Sequence, residues 1–272
     1  MARPNSQGST FASVGGAVVH YSLAGGAGAP PLVFIHSLGT DLRIWDGVVH
    51  ALGSDRAIVR YDLRGHGLSD CPSGPYRLAD FVADLRGLLD HLGIRRAVLV
   101  GISIGGLVAM EYASRHPDGV RSLVLADTAA RIGTAAQWRE RIEAVRRTGL
   151  ERLAATALEM WFTESFRAGE SARVRGYGKL LARSPAEGYV ASCAMLAESD
   201  LAERARTIRA PALVMTGEED RVTPPEQGRA LAALLPGARF EAIPGAAHLP
   251  CIERPERMAS EIDRFLEEQR DG

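Results

Sequence analysis

One serine lies between closely spaced glycines, where an apolar segment gives way to a helical pattern. Residues 98–100 read Val-Leu-Val, and Gly-Ile-Ser-Ile-Gly-Gly follows at 101–106. Leu107, Val108, Glu111 and Tyr112 then recur at helical spacing. A G-x-S-x-G segment in this context predicts a sharp strand-to-helix turn that presents the hydroxyl of Ser103, with glycines where side chains would collide. The alternative is a solvated serine in a purely structural turn.

Composition excludes several classes of function. The chain has 272 residues, 46% of them hydrophobic, which is ample for a globular core. A formal net charge of -1 gives no basic field for nucleic acid or an acidic membrane surface. No apolar run approaches the roughly 20 residues that span a bilayer. The polar first eleven residues have no apolar signal-peptide segment, and we expect a cytoplasmic protein.

The three cysteines, Cys71, Cys193 and Cys251, are odd in number and far apart. They predict reduced thiols rather than a disulfide framework. No H-x-x-x-H, H-E-x-x-H or C-x-x-C spacing occurs, so the sequence predicts no metal site. The glycines at 25, 26 and 28 fit neither a P-loop nor a dinucleotide fingerprint, so we also expect no cofactor.

Apolar strand patterns alternate with helical patterns along most of the chain. Strands are expected at 18–23, 31–35, 57–61, 97–100 and 122–126, with an amphipathic helix from Leu78 to Leu92. The residues at 25–31, rich in glycine and proline, predict a connection between the first two strands. This alternation favours an α/β fold in which helices cover both faces of a mostly parallel sheet.

Residues 130–206 interrupt the alternation, because they show helical patterns and no convincing strand. We interpret them as a helical cap inserted into a core formed by residues 1–129 and 207–272. After the cap, strands are expected at 211–216 and 239–243, and helices at 225–235 and 255–268.

A serine hydroxyl needs a base to take its proton, and the base needs an orienting acid. His248 and Asp220 lie in loops that follow predicted strands, in the order serine, acid, histidine. Such loops, at the carboxyl ends of strands, are the usual place for sites in open α/β sheets. Asp127 also ends a strand and is the alternative acid; the Asp220 loop fits the order better. His36 and His66, in glycine-bearing loops, are expected to set loop geometry.

An acyl-transfer site also needs two backbone N–H groups aimed at the developing oxyanion. Ile104, directly after the serine, predicts one of them, because it begins a helix. Leu38, in the loop after the strand at 31–35, is the best candidate for the other.

Several segments resemble those of the α/β-hydrolase superfamily, and the resemblance covers nearly the whole chain. Within that superfamily the chain is similar to the 3-oxoadipate enol-lactonases of the β-ketoadipate pathway. The broadly shared segments are 34–45, 60–67 and 101–106. The narrower ones are Ser-Leu-Gly-Thr-Asp-Leu at 37–42, Asp-Thr-Ala-Ala-Arg-Ile-Gly-Thr at 127–134 with Trp138, and Trp-Phe-Thr at 161–163. One departure is Ile104, where such lactonases more often have methionine; either side chain leaves the backbone donor intact.

The resemblance implies hydrolysis of 3-oxoadipate enol-lactone to 3-oxoadipate by a Ser103–His248–Asp220 triad, without a cofactor. Trp138 and Trp161 would supply an apolar wall for the ring, although cap packing explains both equally well or better. Arg131 and Arg43 are the candidates, by motif position, for binding the substrate carboxylate.

Other functions use the same machinery. A carboxylesterase, a C–C bond hydrolase of ring-cleavage products or a perhydrolase would keep the triad, whereas an aspartate nucleophile, as in dehalogenases of this fold, is excluded by Ser103. A non-enzymatic ligand receptor of the same fold is a remoter alternative. The expected partner is a small lactone or ester. The oligomeric state stays open, because a cap face could pair two copies.

Overall fold

The computed structural model describes residues 8–269 except 27, 54 and 55. In this part of the chain eight strands form one sheet in the order β1-β2-β4-β3-β5-β6-β7-β8. The strands are β1 (Gly8–Val14), β2 (Ala17–Ala24), β3 (Gly28–Ile35), β4 (Arg56–Tyr61), β5 (Ala97–Ile102), β6 (Val120–Ala126), β7 (Ala212–Gly217) and β8 (Arg239–Ile243). The pairs β1–β2 and β2–β4 are antiparallel, and all other neighbours are parallel.

Central strands are buried along their whole length. Every residue of β5 and of β7 is buried, which is typical of parallel strands covered on both faces. Helices α1 (Asp46–Leu52), α2 (Leu78–His91), α3 (Ile104–Arg115), α9 (Pro225–Leu234), α10 (Pro250–Glu253) and α11 (Pro255–Glu268) accompany the sheet. In α11, Met258, Ile262 and Phe265 form a buried face at helical spacing. The predicted α/β fold with a mostly parallel sheet is confirmed.

Five helices separate β6 from β7. They are α4 (Ala135–Trp161), α5 (Glu164–Gly169), α6 (Ser171–Ala182), α7 (Ala186–Glu198) and α8 (Ala202–Ala205). Gly149, with φ of +75°, interrupts the helical backbone of α4. None of residues 130–206, all of which the structure describes, lies in a strand. We refer to α4–α8 as the cap; its boundaries at 130 and 206 stay a prediction.

The sequence did not predict β1. Five of its seven residues are exposed, so the alternation of apolar residues that predicts a strand is weak. It is a strand because it pairs with β2 through the turn at Gly15–Gly16. Gly28, assigned to a connection, begins β3 with a register irregularity before Leu32, whereas residue 27 lies outside the described residues. Within the described residues, none of the helices has the combination of length and hydropathy that crossing a membrane requires.

Candidate active site

Ser103 occupies a strained turn between β5 and α3. Its backbone has φ of +56° and ψ of −121°, a conformation that residues other than glycine rarely adopt. The Ser103 N–H donates to the carbonyl of Ala126 at 3.0 Å. The Ser103 carbonyl accepts from the Gly106 N–H at 2.9 Å and from the Thr128 hydroxyl at 2.8 Å. These bonds to β6 and to the first turn of α3 hold the strained residue in place.

Steric contacts explain the glycines around Ser103. A Cβ atom on Gly101 would lie 2.3 Å from the carbonyl oxygen of Gly105. On Gly105 it would lie 2.3 Å from the carbonyl oxygen of Ile35, at the end of β3. On Gly106 it would lie 2.6 Å from the Thr128 methyl carbon. The motif therefore reflects close backbone approaches as well as the turn.

His248 and Asp220 form a buried hydrogen-bonded pair. His248 Nδ1, in the loop after β8, lies 3.0 Å from Asp220 Oδ2, in the loop after β7. Asp220 Oδ1 accepts from the N–H groups of Val222 at 2.7 Å and Thr223 at 3.2 Å, and Oδ2 accepts from the Thr223 hydroxyl at 2.7 Å. Burial by itself raises the pKa of Asp220, but His248 and these donors outweigh it and lower the pKa below its usual range. Asp220 is therefore the ionised partner.

Asp127, the alternative acid, lies beside this pair at the end of β6. One carboxyl oxygen of Asp127, one of Asp220 and a ring nitrogen of His248 all lie within 4.8 Å of one another. These three groups are of the types that bind metal ions, but Asp220 Oδ2 and His248 Nδ1 are engaged in a hydrogen bond with each other. Asp127 is fully buried, and its Oδ1 accepts from the Gly217 N–H at 2.8 Å. Burial, and next the charge of Asp220, raise the pKa of Asp127 well above its usual range.

Ser103 and His248 line the same cavity, which lies between the sheet and the cap and measures about 460 Å³. This volume suits a small ligand. In the described part of the chain, the Ser103 hydroxyl and the His248 ring do not form a direct hydrogen bond. Contacts between a nucleophile and its base often shorten only when substrate binds. Other lining residues are Ser37, Leu38, Ile132, Gly133, Gln137, Trp138, Glu140, Arg141, Ala144, Leu153, Ala157, Met160, Trp161, Tyr189, Leu196, Arg221 and Val222.

The loop that carries Leu38 is fixed by a buried histidine. His36 Nε2 accepts from the Leu63 N–H at 2.9 Å, and its Nδ1 lies 2.8 Å from the Ser37 carbonyl, to which it donates in this tautomer. Burial lowers the pKa of His36, so the ring is neutral and can play both roles. Directly after Ser103, Ile104 begins α3, and its N–H has no acceptor within the helix. Leu38 lines the same cavity as Ser103.

Both predicted tryptophans lie on the cavity wall. The indole N–H of Trp138 donates to the Ile132 carbonyl at 2.6 Å. Gly133 has φ of +65°, and a Cβ atom there would lie 3.1 Å from Trp138 Nε1. The Ile-Gly-Thr turn at 132–134 therefore holds the Trp138 ring in position. Thr134 also caps α4, because its hydroxyl accepts from the N–H of Gln137.

Neither Arg43 nor Arg131, the two arginines predicted to bind the substrate carboxylate, is on the wall of this cavity. Arg43 is largely exposed and binds Asp41, with Nε 3.0 Å from each carboxylate oxygen. It borders two other depressions, of about 860 and 440 Å³. Arg131 is exposed, and its guanidinium lies 3.8 Å from Asp200. Their positions in motifs located these residues along the chain, but could not predict where their long side chains would lie.

Two other arginines, Arg141 and Arg221, line the cavity and were missed. Arg141 is half-buried on α4, with its guanidinium carbon 5.8 Å from the Trp138 ring centre and Nη1 3.5 Å from the Tyr189 hydroxyl. Helical spacing could have found it, because residues i and i+3 share one face and Trp138 was already a candidate. Arg221 is exposed beside Asp220, so its position next to the acid was its signal.

A buried glutamate joins the cap to the loop that carries His248. Glu253 Oε1 accepts from the Thr163 N–H at 3.0 Å and from its hydroxyl at 2.7 Å, whereas Oε2 accepts from the Ala247 N–H at 2.7 Å. The Leu249 N–H donates to the Trp161 carbonyl at 3.2 Å. The residues on either side of His248 are therefore bonded to α10 and to the end of α4.

Comparisons with known proteins agree with this geometry. A family model described as the alpha/beta hydrolase fold matches residues 30–255. A curated 3-oxoadipate enol-lactonase of Acinetobacter baylyi is 35% identical over 91% of this chain and 92% of its own length. A pimeloyl-[acyl-carrier protein] methyl ester esterase of Chromobacterium violaceum is 33% identical over 88% of this chain and 95% of its own. The crystal structure of an enol-lactonase from Burkholderia xenovorans superposes with a TM-score of 0.92 at 37% identity, covering 94% of this chain and 99% of that one.

The turn at Ser103 should not tolerate a side chain at Gly105. We expect Gly105→Ala to lower the free energy of unfolding by about 1–3 kcal/mol, because its methyl group would press on the Ile35 carbonyl. Gly176→Ala is the matched control: this exposed position in α6 has open space, and alanine should stabilise the helix by about 0.5–1 kcal/mol. Urea denaturation measures both. Equal stability of Gly105→Ala and the parent protein would contradict the steric explanation.

Proposed function

The chain belongs to the α/β-hydrolase fold family, and from that premise we propose that it is a serine-dependent ester hydrolase that opens 3-oxoadipate enol-lactone. The observation that carries the proposal is one cavity of about 460 Å³ that holds Ser103, His248 and the half-buried guanidinium of Arg141. A small lactone with a free carboxylate fits these three features. The identity to enol-lactonases along nearly the whole chain supports the same substrate.

In the proposed reaction, Ser103 Oγ attacks the lactone carbonyl while His248 Nε2 takes its proton. Asp220 fixes the ring by accepting from Nδ1–H, which leaves Nε2 as the base, and its charge stabilises the imidazolium that forms. The N–H groups of Ile104 and Leu38 stabilise the tetrahedral oxyanion. Each such donor typically lowers the barrier by about 3 kcal/mol.

Collapse of this intermediate breaks the ring C–O bond. The leaving oxygen is an enol, a better leaving group than an alkoxide, and it takes the proton from His248 and tautomerises to the ketone. The opened chain stays attached to Ser103 as an acyl ester. His248 then activates a water molecule that hydrolyses the ester and releases 3-oxoadipate.

Substrate recognition is assigned to the cap wall. The rings of Trp138 and Trp161 would pack against the lactone. Arg141 would bind the substrate carboxylate, because it combines a position on the wall with a side chain held by Tyr189 and Trp138. Arg221, at the exposed edge, would attract the anion on its way in.

Ring opening by purified protein is the direct test of the function. We expect rapid turnover of the enol-lactone, slow turnover of p-nitrophenyl acetate, and loss of both in a folded Ser103→Ala variant. Efficient hydrolysis of the neutral ester with no lactone turnover would retain the nucleophile and discard the lactonase assignment in favour of a carboxylesterase. Activity of Ser103→Ala on the lactone would remove the serine mechanism itself.

Asp220 can be tested separately from the nucleophile. Asp220→Asn should lower kcat by about 10⁴-fold, because the amide would leave His248 in the wrong tautomer. Glu219→Gln removes an exposed carboxylate from the same loop and should leave kcat close to that of the parent. A nearly normal rate for Asp220→Asn would transfer the orienting role to Asp127.

Arg141 should discriminate between acidic and neutral substrates. We expect Arg141→Met to raise KM for the lactone by about 10- to 100-fold, since a hydrogen bond to a charged group is lost, and to leave KM for p-nitrophenyl acetate within about threefold. Arg139→Met removes the same charge from an exposed position of α4 off the cavity wall and should change neither value. Parallel increases of KM for both substrates would indicate a packing role instead.

A further inference from the structure

The carboxyl group of Asp127 is buried at the back of the proposed catalytic pair, and only part of its bonding is explained. It directly follows β6 and has φ of +43°, a conformation that is uncommon for residues other than glycine. One oxygen, Oδ1, accepts from the Gly217 N–H, at the base of the loop that carries Asp220. The other, Oδ2, is buried and accepts no hydrogen bond from any described residue. An ionised carboxylate would leave that acceptor unsatisfied at considerable cost.

Acidic groups are prominent among the described neighbours of Asp127. Facing it are Asp220 from the loop after β7, His248 from the loop after β8, and Cys251 and Glu253 from α10. Two of these are acids. Two adjacent buried carboxyl groups in such surroundings hold one proton between them, as like charges at this distance oppose double ionisation.

The donors around Asp220 decide where that proton resides. Asp220 accepts hydrogen bonds from Val222, from Thr223 through two groups, and from His248, so it behaves as the carboxylate. Asp127 receives one backbone N–H, its Oδ2 has no partner among the described residues, and one of its carboxyl oxygens lies within 4.8 Å of an oxygen of Asp220. Protonation of Oδ2 converts the unsatisfied acceptor into a donor, for which the neighbouring Asp220 carboxylate is the acceptor.

We propose that Asp127 is a neutral carboxylic acid that donates a hydrogen bond to Asp220 and thereby positions the Asp220–His248 pair. It is a positioning residue: through Oδ1 it holds the base of the acid loop, and through Oδ2–H it holds the acid itself. The inference rests on the proposed function, in which that pair activates Ser103. Its direct consequence is that Asp127 and Asp220 together carry a single negative charge behind His248.

Asparagine reproduces this arrangement and alanine does not. In Asp127→Asn the amide oxygen can accept from Gly217 and the amide N–H can donate to Asp220. We expect this variant to keep kcat within about threefold and to leave the acidic limb of the pH–rate profile in place. In Asp127→Ala the lost donor makes Asp220 a stronger partner for the imidazolium, so the limb should move to higher pH and kcat should fall by about 10- to 100-fold.

A measurement of stability tests the protonation state without reference to activity. Because the pKa of Asp127 is raised in the folded state, folding takes up a proton above the unfolded value of about 3.9. The contribution of Asp127 to stability is complete below that pH and is lost as the pH rises towards the folded pKa. The unfolding constant of the parent, divided by that of Asp127→Asn, should therefore rise with pH above the unfolded pKa, approach about tenfold per pH unit, and level off above the folded pKa.

Three results would overturn the proposal. A loss of kcat in Asp127→Asn as large as in Asp220→Asn would show that Asp127 acts as a carboxylate. A pH-independent ratio of unfolding constants would show that it is ionised in the folded protein. Identical pH–rate profiles for Asp127→Asn and Asp127→Ala would reduce it to a packing role. The stability ratio is informative even if the enzyme acts on another ester, so the two proposals can fail separately.

Discussion

Four neighbouring parallel strands end at the same edge of the sheet, and the candidate site depends on this arrangement. The strands β5, β6, β7 and β8 are adjacent, and the residues that follow them include Ser103, Asp127, Asp220 and His248. Backbone bonds continue the ladder beyond the strands, from Ser103 to the Ala126 carbonyl and from Asp127 to the Met215 carbonyl. These four residues, which are distant in sequence, are thus positioned by one sheet. The cap supplies the opposite wall of the cavity.

How much of this the sequence could predict depends on whether the signal was local. Ser103 lies in a motif whose glycines are required by close contacts of the backbone. His248 and Asp220 follow apolar strands in the expected order. All three candidates could therefore be located from the sequence alone. The strand β1 could not, because pairing with β2 and not burial defines it. The partner of Arg43 could not be predicted from its motif either: its guanidinium binds Asp41, two residues away, and the side chain is not on the wall of the cavity.

The cap and the loop of His248 are mechanically linked through Glu253. Its carboxyl group bonds Thr163 on the cap side and Ala247 on the loop side, and Leu249 bonds the carbonyl of Trp161. Trp161 also lines the cavity. A displacement of this end of the cap would therefore be transmitted to both residues that flank His248. These bonds fix the backbone on both sides of His248 relative to the cap wall.

The charged groups that line the cavity bear on the anionic substrate proposed for it. The whole chain carries a formal charge of only -1, so attraction of an anion has to come from local groups. Along the cavity lining, the acidic Glu140 is outnumbered by Arg141 and Arg221, which supply this attraction. A second ionised carboxylate behind His248 would counteract them. Two like charges about 8 Å apart repel by about 2 kcal/mol at an effective dielectric constant near 20. A neutral Asp127 therefore supports Asp220 without adding this repulsion against the substrate and the oxyanion formed from it.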